Sequence, residues 1–258
     1  LGLFSGSYPA LYLSSLQPLR IMKSYFRKGT REKFLRNILV FFQFAISAGL
    51  IVSTIVIYNQ LSYIREKRLG FDKDNVISIF LRNEEVQENA ELLKEKIEKI
   101  NGIYSASLAS SVPGMSISGA SYFPEGLNKD PWLIYSFDVD ENFIESTFRM
   151  KIKKGRNFSE QYTSDSTSII INETLMNSLR WKNPIGKKLH NSNEENAPSF
   201  TVVGVVEDFH FRSLHEQIEP TVIHYKQNKP KYLLARIKPD GRDKTLNRIS
   251  QTWNELNP

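Results

Sequence analysis

The sequence predicts an α+β domain held outside a membrane by a long helix. Three observations predict it. Ile38–Tyr58 runs for twenty-one residues without a charged side chain, the residues beyond it alternate strand-like and helix-like apolar periodicities, and the surplus positive charge is confined to the residues before it. As helix that run spans about 31 Å, the hydrocarbon thickness of a bilayer. It is too long and too uniformly apolar for a core helix, and it does not stand at the amino terminus as a signal peptide would. With 40% hydrophobic and 24% charged residues in 258, the chain is neither disordered nor fibrous. With no cysteine, it has no disulfide framework, no thiolate metal site and no cysteine nucleophile.

Residues 1–37 hold Arg20, Lys23, Arg27, Lys28, Arg31, Lys33 and Arg36 against Glu32 alone, which accounts for the whole net charge of +6. The remainder is balanced, so no basic nucleic-acid platform is expected; the basic segment fits lipid headgroups beside a membrane. Within the apolar run, Gln43, Ser47, Gly49, Ser53 and Thr54 form a small and polar stripe suited to packing on neighbouring helices. The positive-inside rule puts the basic flank in the cytoplasm and everything after about Tyr58 outside it. Leu61, Ile64 and Leu69 keep helical spacing until Gly70, which can end the helix in the left-handed conformation. A helix over Glu32–Leu69 would be about 57 Å long, leaving about 25 Å beyond the bilayer as a stalk.

Beyond the stalk, Asn75–Arg82 alternates like a half-buried strand, Glu84–Ile100 reads as one amphipathic helix burying Leu92, Leu93, Ile97 and Ile100, and Ile103–Ser110 as a second strand. This is a βαβ-like opening. Ser111–Pro131, rich in Ser, Pro and Gly, reads as a loop and a candidate partner contact. Strands follow at Trp132–Val139, Ser166–Ile171, Phe200–Val206, Thr221–Tyr225 and Tyr232–Ile237, with a short helix at Glu173–Arg180 and a closing one at Asp243–Leu256 begun by an Asp cap. At least six strands are expected. The division is residues 1–37, a membrane helix and stalk over 38–70, and an external domain over 71–258 whose stretch from about 112 to 199 forms an inserted subdomain.

Motifs for bond chemistry are missing. Asn183–Lys188 holds a Gly-Lys pair but neither the first glycine nor the hydroxyl residue of a phosphate-binding loop, and the hydrolase elbow and H-E-x-x-H patterns are absent. The densest polar constellation is Glu207, Asp208, His210, His215, Glu216 and Glu219. Its residue types suit a metal, but its spacing matches no ligand motif, and a solvated connecting loop explains it equally. No catalytic, cofactor-binding or metal residue is assigned. His190 reads as a surface residue and His224 as a strand-edge residue.

Four pieces, in this order, carry a family resemblance: Tyr8-Pro9-Ala10 with Ser15 and Pro18; Gln43-Phe44-Ala45-Ile46-Ser47; Leu69-Gly70-Phe71-Asp72; and Asp208-Phe209-His210-Phe211. Over nearly its whole length the chain resembles the second half of a MacB/FtsX-like ABC transporter permease of the tandem-duplicated form. The resemblance implies that Leu1–Tyr8 ends a preceding membrane helix, that Pro9–Arg36 is a cytoplasmic connection, and that Ile38–Tyr58 opens the next repeat. It also implies a MacB-like periplasmic core domain from about Asp74, with a porter-like part and an inserted sabre-like part. In this family further membrane helices follow the domain, so a chain running from Leu1 to Pro258 is expected to be a fragment. The expected setting is the bacterial inner (cytoplasmic) membrane, and the expected partners are a separate cytoplasmic ABC ATPase, other permease helices or a second permease half, and an envelope protein, peptide or lipoprotein cargo. The permease would do no bond chemistry itself. A single-pass sensor or interaction protein, and a membrane-tethered enzyme, are the readings from other classes.

Overall fold

A computed structural model gives the fold. It describes residues 30–66, 69–115, 117–127, 130–192, 194, 197–214, 216–226 and 228–256. The expectations for Leu1–Tyr8, and for the connection up to residue 29, lie outside these. The chain divides into two compact units, Leu1–Lys67 and Arg68–Pro258.

The first unit contains helix α1, Thr30–Glu66. At 37 residues it is about 56 Å long. Its stretch Lys33–Ser62 is apolar and long enough to cross a membrane, and none of it is buried within the protein. Phe34, Leu39, Phe41, Phe44, Leu50, Ile51 and Ile57 are all exposed, around the whole circumference. Side chains so disposed call for lipid or other helices rather than water. Within the stripe, Thr54 donates its hydroxyl to the Leu50 carbonyl at 2.8 Å, which satisfies it inside the helix itself.

Among the described residues, the second unit has ten strands. β1 (Val76–Phe80) leads through two short helices, α2 (Glu84–Glu88) and α3 (Ala90–Glu98), to β2 (Ile103–Ala109). The single helix expected over this stretch is broken at Asn89, which closes one helix, opens the other and donates its side-chain amide to the Glu85 carbonyl. The buried face also differs from expectation. Leu92 is exposed and Lys94 is buried instead, because Asp140 and Glu141 hold its ammonium at 2.7 and 2.8 Å.

Next come β3 (Ser118–Pro124), β4 (Trp132–Val139), a π-helical turn (Phe143–Thr147) and β5 (Ile152–Gly155). A 3-10 turn (Thr163–Thr167) precedes β6 (Ser168–Asn172), α4 (Glu173–Ser178), β7 (Lys188–His190) and β8 (Ser199–Val206). β9 (Thr221–Tyr225), β10 (Tyr232–Ile237) and α5 (Arg242–Leu256) complete the unit. The expected loop Ser111–Pro131 therefore contains a strand. Residues 118–121 are all exposed, so β3 lacks the alternation that marks a half-buried strand, and pairing with β4 over five positions and with β7 over two defines it. β5 and β7, at four and three residues, are too short to carry a period. Asp243 lies in the first turn of α5 rather than at its cap.

β10 pairs antiparallel with both β1 and β2, so the opening βαβ unit is split by a strand from the far end of the chain. Helices α3 and α5 cover one face of these three strands, over Leu93, Ile97, Ala106, Leu108, Leu233, Ala235 and Ile249. Six of the other strands close on themselves: β4 pairs β3, β3 pairs β7, β7 pairs β8, β8 pairs β6, β6 pairs β9, and β9 returns to β4, while β5 pairs antiparallel with β8 outside this circuit. This is a six-stranded barrel. Its lumen is filled by Tyr122, Ile134, Ile169, Ile171, Leu189, Val202 and Val222, with Leu175 and Leu179 supplied by α4 and the residue after it. Alternate residues of the same strands, Phe137, Ile170, Val206 and Ile223, face an outer core shared with Ala109, Leu234 and the aromatic residues around Phe143. β6 and β9 are buried on both faces for this reason. His224, expected at a strand edge, is correspondingly buried, since β9 has a partner on either side. His190 is half-buried.

Candidate functional site

The polar constellation after β8 is brought only partly together, and its contacts are structural. Asp208 accepts from the backbone N–H and the hydroxyl of Thr174, both at 2.8 Å, so it helps cap α4 together with Asn172, which accepts from the Leu175 N–H. Glu207 pairs with Lys153, and Glu216 and Glu219 with Arg212. His215 lies outside the described residues. Among the described residues, no group of three His, Cys, Asp or Glu side chains could hold a metal ion.

The same segment does something else. The two short motifs Leu69-Gly70-Phe71-Asp72 and Asp208-Phe209-His210-Phe211, far apart in sequence, meet in the second unit. The His210 N–H donates to the Leu69 carbonyl at 2.8 Å. Gly70 has φ +81°, and a Cβ there would lie 2.2 Å from the Asp208 carbonyl oxygen and 2.7 Å from the Phe209 Cα. Only glycine allows that conformation and that approach together. Phe71 stands edge-on to Phe148 at 5.4 Å and packs on the outer core beside Phe209 and Phe211.

Asp72 and its neighbours are then tied on a second side. The Asp72 N–H donates to the Phe148 carbonyl at 2.8 Å, and its carboxylate takes Arg236 at 3.1 Å and Arg149 at 3.3 Å. Arg236, on β10, is 3% exposed. Its guanidinium donates to the carbonyls of Asp72, Asp74 and Thr147, the last at 2.6 Å. Burial holds its pKa below that of an ordinary arginine and Asp72 opposes the shift; the group stays charged because arginine starts so high. The Ile237 N–H donates to the Asn75 carbonyl one residue further on.

Residues 69–75, which follow α1 in the chain, are thus held by three separate segments: 147–149, 208–210 and 236–237. No group here is placed to make or break a covalent bond. The arrangement ties this segment to the aromatic core. Sequence reading found both short motifs but not Arg236. The available signal was an arginine inside Leu233-Leu234-Ala235-Arg236-Ile237, where every position is buried.

A second candidate is an open cleft of about 140 Å³ where the ends of β4 and β9 meet α2 and α3, lined among others by Gln87, Ser110, Asp138, Lys226 and Asn228. Lys226 adopts φ +47° there, with Glu91 and Glu160 each at 2.9 Å and Glu141 at 3.4 Å. Burial works against its charge, but these carboxylates outweigh it and raise the pKa above that of an ordinary lysine. The network pins α3 to the barrel end, and Lys94 repeats the link through Asp140 and Glu141.

Residues 44–237 match the family described as the MacB-like periplasmic core domain. Among solved structures, the chain is similar to the periplasmic region of MacB from Actinobacillus actinomycetemcomitans, with TM-score 0.52 and 15% identity over 75% of this chain and 88% of that one. At 12% identity and TM-score 0.49, over 70% of this chain and 94% of that one, it is similar to the extracellular domain of the noncanonic ABC-type transporter YknZ from Gram-positive bacteria. A domain of a putative permease protein from Porphyromonas gingivalis gives 16% identity and TM-score 0.45 over 62% and 73%. No curated protein sequence matches the chain. At these identities the MacB likeness is one of fold.

Proposed function

The chain belongs to the family of the MacB-like periplasmic core domain found in ABC transporter permeases, and on that premise we propose that it is the permease subunit of a MacB/FtsX-like transporter, coupling ATP hydrolysis by a separate cytoplasmic ATPase to movement of its external domain. The observation that carries the proposal is the anchoring of residues 69–75. A membrane helix can drive an external domain only where the residues after it are fixed to that domain's core, and here Gly70, Asp72 and Arg236 fix them. Transmission of this kind needs a rigid element and a body that moves as a unit.

The basic flank of α1 sets the orientation by the positive-inside rule, with the second unit on the far side of a bacterial inner membrane. The exposed apolar surface of α1, with Gln43, Ser47, Gly49, Ser53 and Thr54 as its small and polar stripe, is suited to further permease helices. We assign residues 71–258 to the external domain and about 112–199 to the sabre-like part. Cargo, whether peptide, lipoprotein or a regulated envelope protein, would be engaged on this domain, and the hydrolytic chemistry lies on the partner.

The test is affinity purification of the tagged parent protein from native membranes in mild detergent, with mass spectrometry and an ATPase assay of the eluate. Recovery of a stoichiometric ABC ATPase supports the permease reading. Its absence, under conditions that preserve other transporter complexes, would sink it and favour a membrane sensor.

A further inference from the structure

The barrel lumen holds a polar chain that neither the fold nor the permease reading uses. On β9, His224 is 6% exposed and surrounded by the apolar lining. Its Nε2 lies 2.8 Å from the Tyr122 hydroxyl on β3, and Phe200 on β8 stands edge-on to the ring at 4.6 Å. Its register partner on β4 is Asp138, itself 7% exposed. In a parallel pair such residues project from the same face, and Ile134 and Val222, at the same parity on these strands, confirm that the face is the lumen.

Among the described residues, two buried polar atoms here find no hydrogen-bond partner, Asp138 Oδ1 and His224 Nδ1. Asp138 is otherwise engaged: Oδ2 accepts from Asn228 at 2.9 Å, and its backbone N–H donates to Ser110. A carboxylate oxygen and an imidazole nitrogen left unpaired on adjoining strands are costly as they stand. A proton on His224, with the two side chains drawn into hydrogen-bond range, would satisfy both.

We propose that His224 and Asp138 form a buried proton-binding site that makes the barrel responsive to the pH of its compartment. Uptake of one proton from solvent converts the neutral ring to imidazolium, in which both nitrogens are donors. Nδ1–H then turns to Asp138 Oδ1, forming an ion pair, while Nε2–H donates to the Tyr122 hydroxyl oxygen. The groups facing His224 from each wall are Tyr122 on β3, Asp138 on β4, Ile169 on β6 and Phe200 on β8, of which Asp138 alone carries charge. Burial keeps the ring neutral to lower pH than an exposed histidine, and Asp138 opposes that. The acid form shifts the contacts of β3, β4 and β9 at once, since the ring bridges all three. The site needs no partner ATPase, so it stands or falls apart from the permease reading.

The test is a ring-proton NMR titration of the full chain in detergent micelles, with labelled histidine, from about pH 4.5 to 8. His224 is assigned by elimination, using His190→Gln, His210→Gln and His215→Gln. The expected result is a His224 transition at lower pH than in the urea-unfolded chain, with a strongly deshielded, slowly exchanging Nδ1 proton in the acid form. Asp138→Asn should move the transition lower still and remove that proton. A transition at or above the unfolded value, or an acid form without the deshielded proton, overturns the proposal in the unmodified chain alone.

Discussion

At Gly70 a methyl group has nowhere to go. The backbone is left-handed at φ +81°, and the Asp208 carbonyl oxygen would sit 2.2 Å from the new carbon. Gly70→Ala should therefore lower stability by about 2 kcal/mol or more, combining the conformational penalty with displacement of backbone that cannot rotate away; thermal unfolding of the full chain measures it. Arg236→Met removes the donors to three carbonyls and leaves the Asp72 carboxylate with the exposed Arg149 and the Asp74 N–H. The expected loss is about 2–3 kcal/mol, and amide exchange at Asp72–Asn75 should accelerate more than at β6. Arg236→Lys should rescue little, because one ammonium lacks the fork that reaches carbonyls in three directions. His224 sets a pH dependence of known sign. Its folded pKa is depressed, so its contribution to stability is complete above the unfolded value of about 6.5 and is lost as pH falls through the folded one. His224→Gln should accordingly lose less thermal stability than the unmodified chain between about pH 7 and 5.

At the scale of the element, α1 matters for its continuity. It is helical without interruption from Thr30 to Glu66, well beyond the apolar run. Ile64→Pro falls inside its last turns, where the ring removes a backbone donor and costs about 3 kcal/mol. In the transporter reading, that variant hydrolyses ATP while the external domain stays still; a distance measurement showing unchanged ATP-driven motion would count against mechanical coupling. α4 poses the opposite case, a six-residue helix whose first turn depends on Asn172 and on Asp208 from another strand's end. Sequence reading placed Asp208 in a polar cluster whose residue types suit a metal but whose spacing matches no ligand motif, and assigned it no role. The tertiary contact makes it a cap, which no local spacing could reveal because Thr174 lies 34 residues away.

Across the whole second unit, three cores lie in succession: helices on a three-stranded sheet, that sheet on the outside of a barrel, and the barrel around its own filling. Sheet and barrel join directly by a single bridge, Ala109 to Val139, yet the outer core draws on both sides and the Lys94 and Lys226 networks span the seam. The unit should therefore move as one body. Because the chain has no cysteine, spin labels at Tyr104→Cys and Leu133→Cys, both exposed, report on the two halves without background. Their separation should hold through a cycle of ATP hydrolysis; a change of several ångströms would show that barrel and sheet hinge.

The sequence by itself determined what depends on neighbours along the chain. The uncharged run and its basic flank defined α1, and simple alternation placed β4 at its observed limits, because the pleat repeats every two residues whatever lies across it. The short motifs around Gly70 and Asp208 were legible as words, and the family with them. Tertiary structure alone decided the rest. It made a strand of Ser118–Pro124, buried Lys94 and Arg236 by supplying carboxylates and carbonyls from distant segments, and closed six strands into a barrel that encloses His224. Pairing partners and counter-charges arrive from far along the chain, and no periodicity within one segment encodes which of them will meet it.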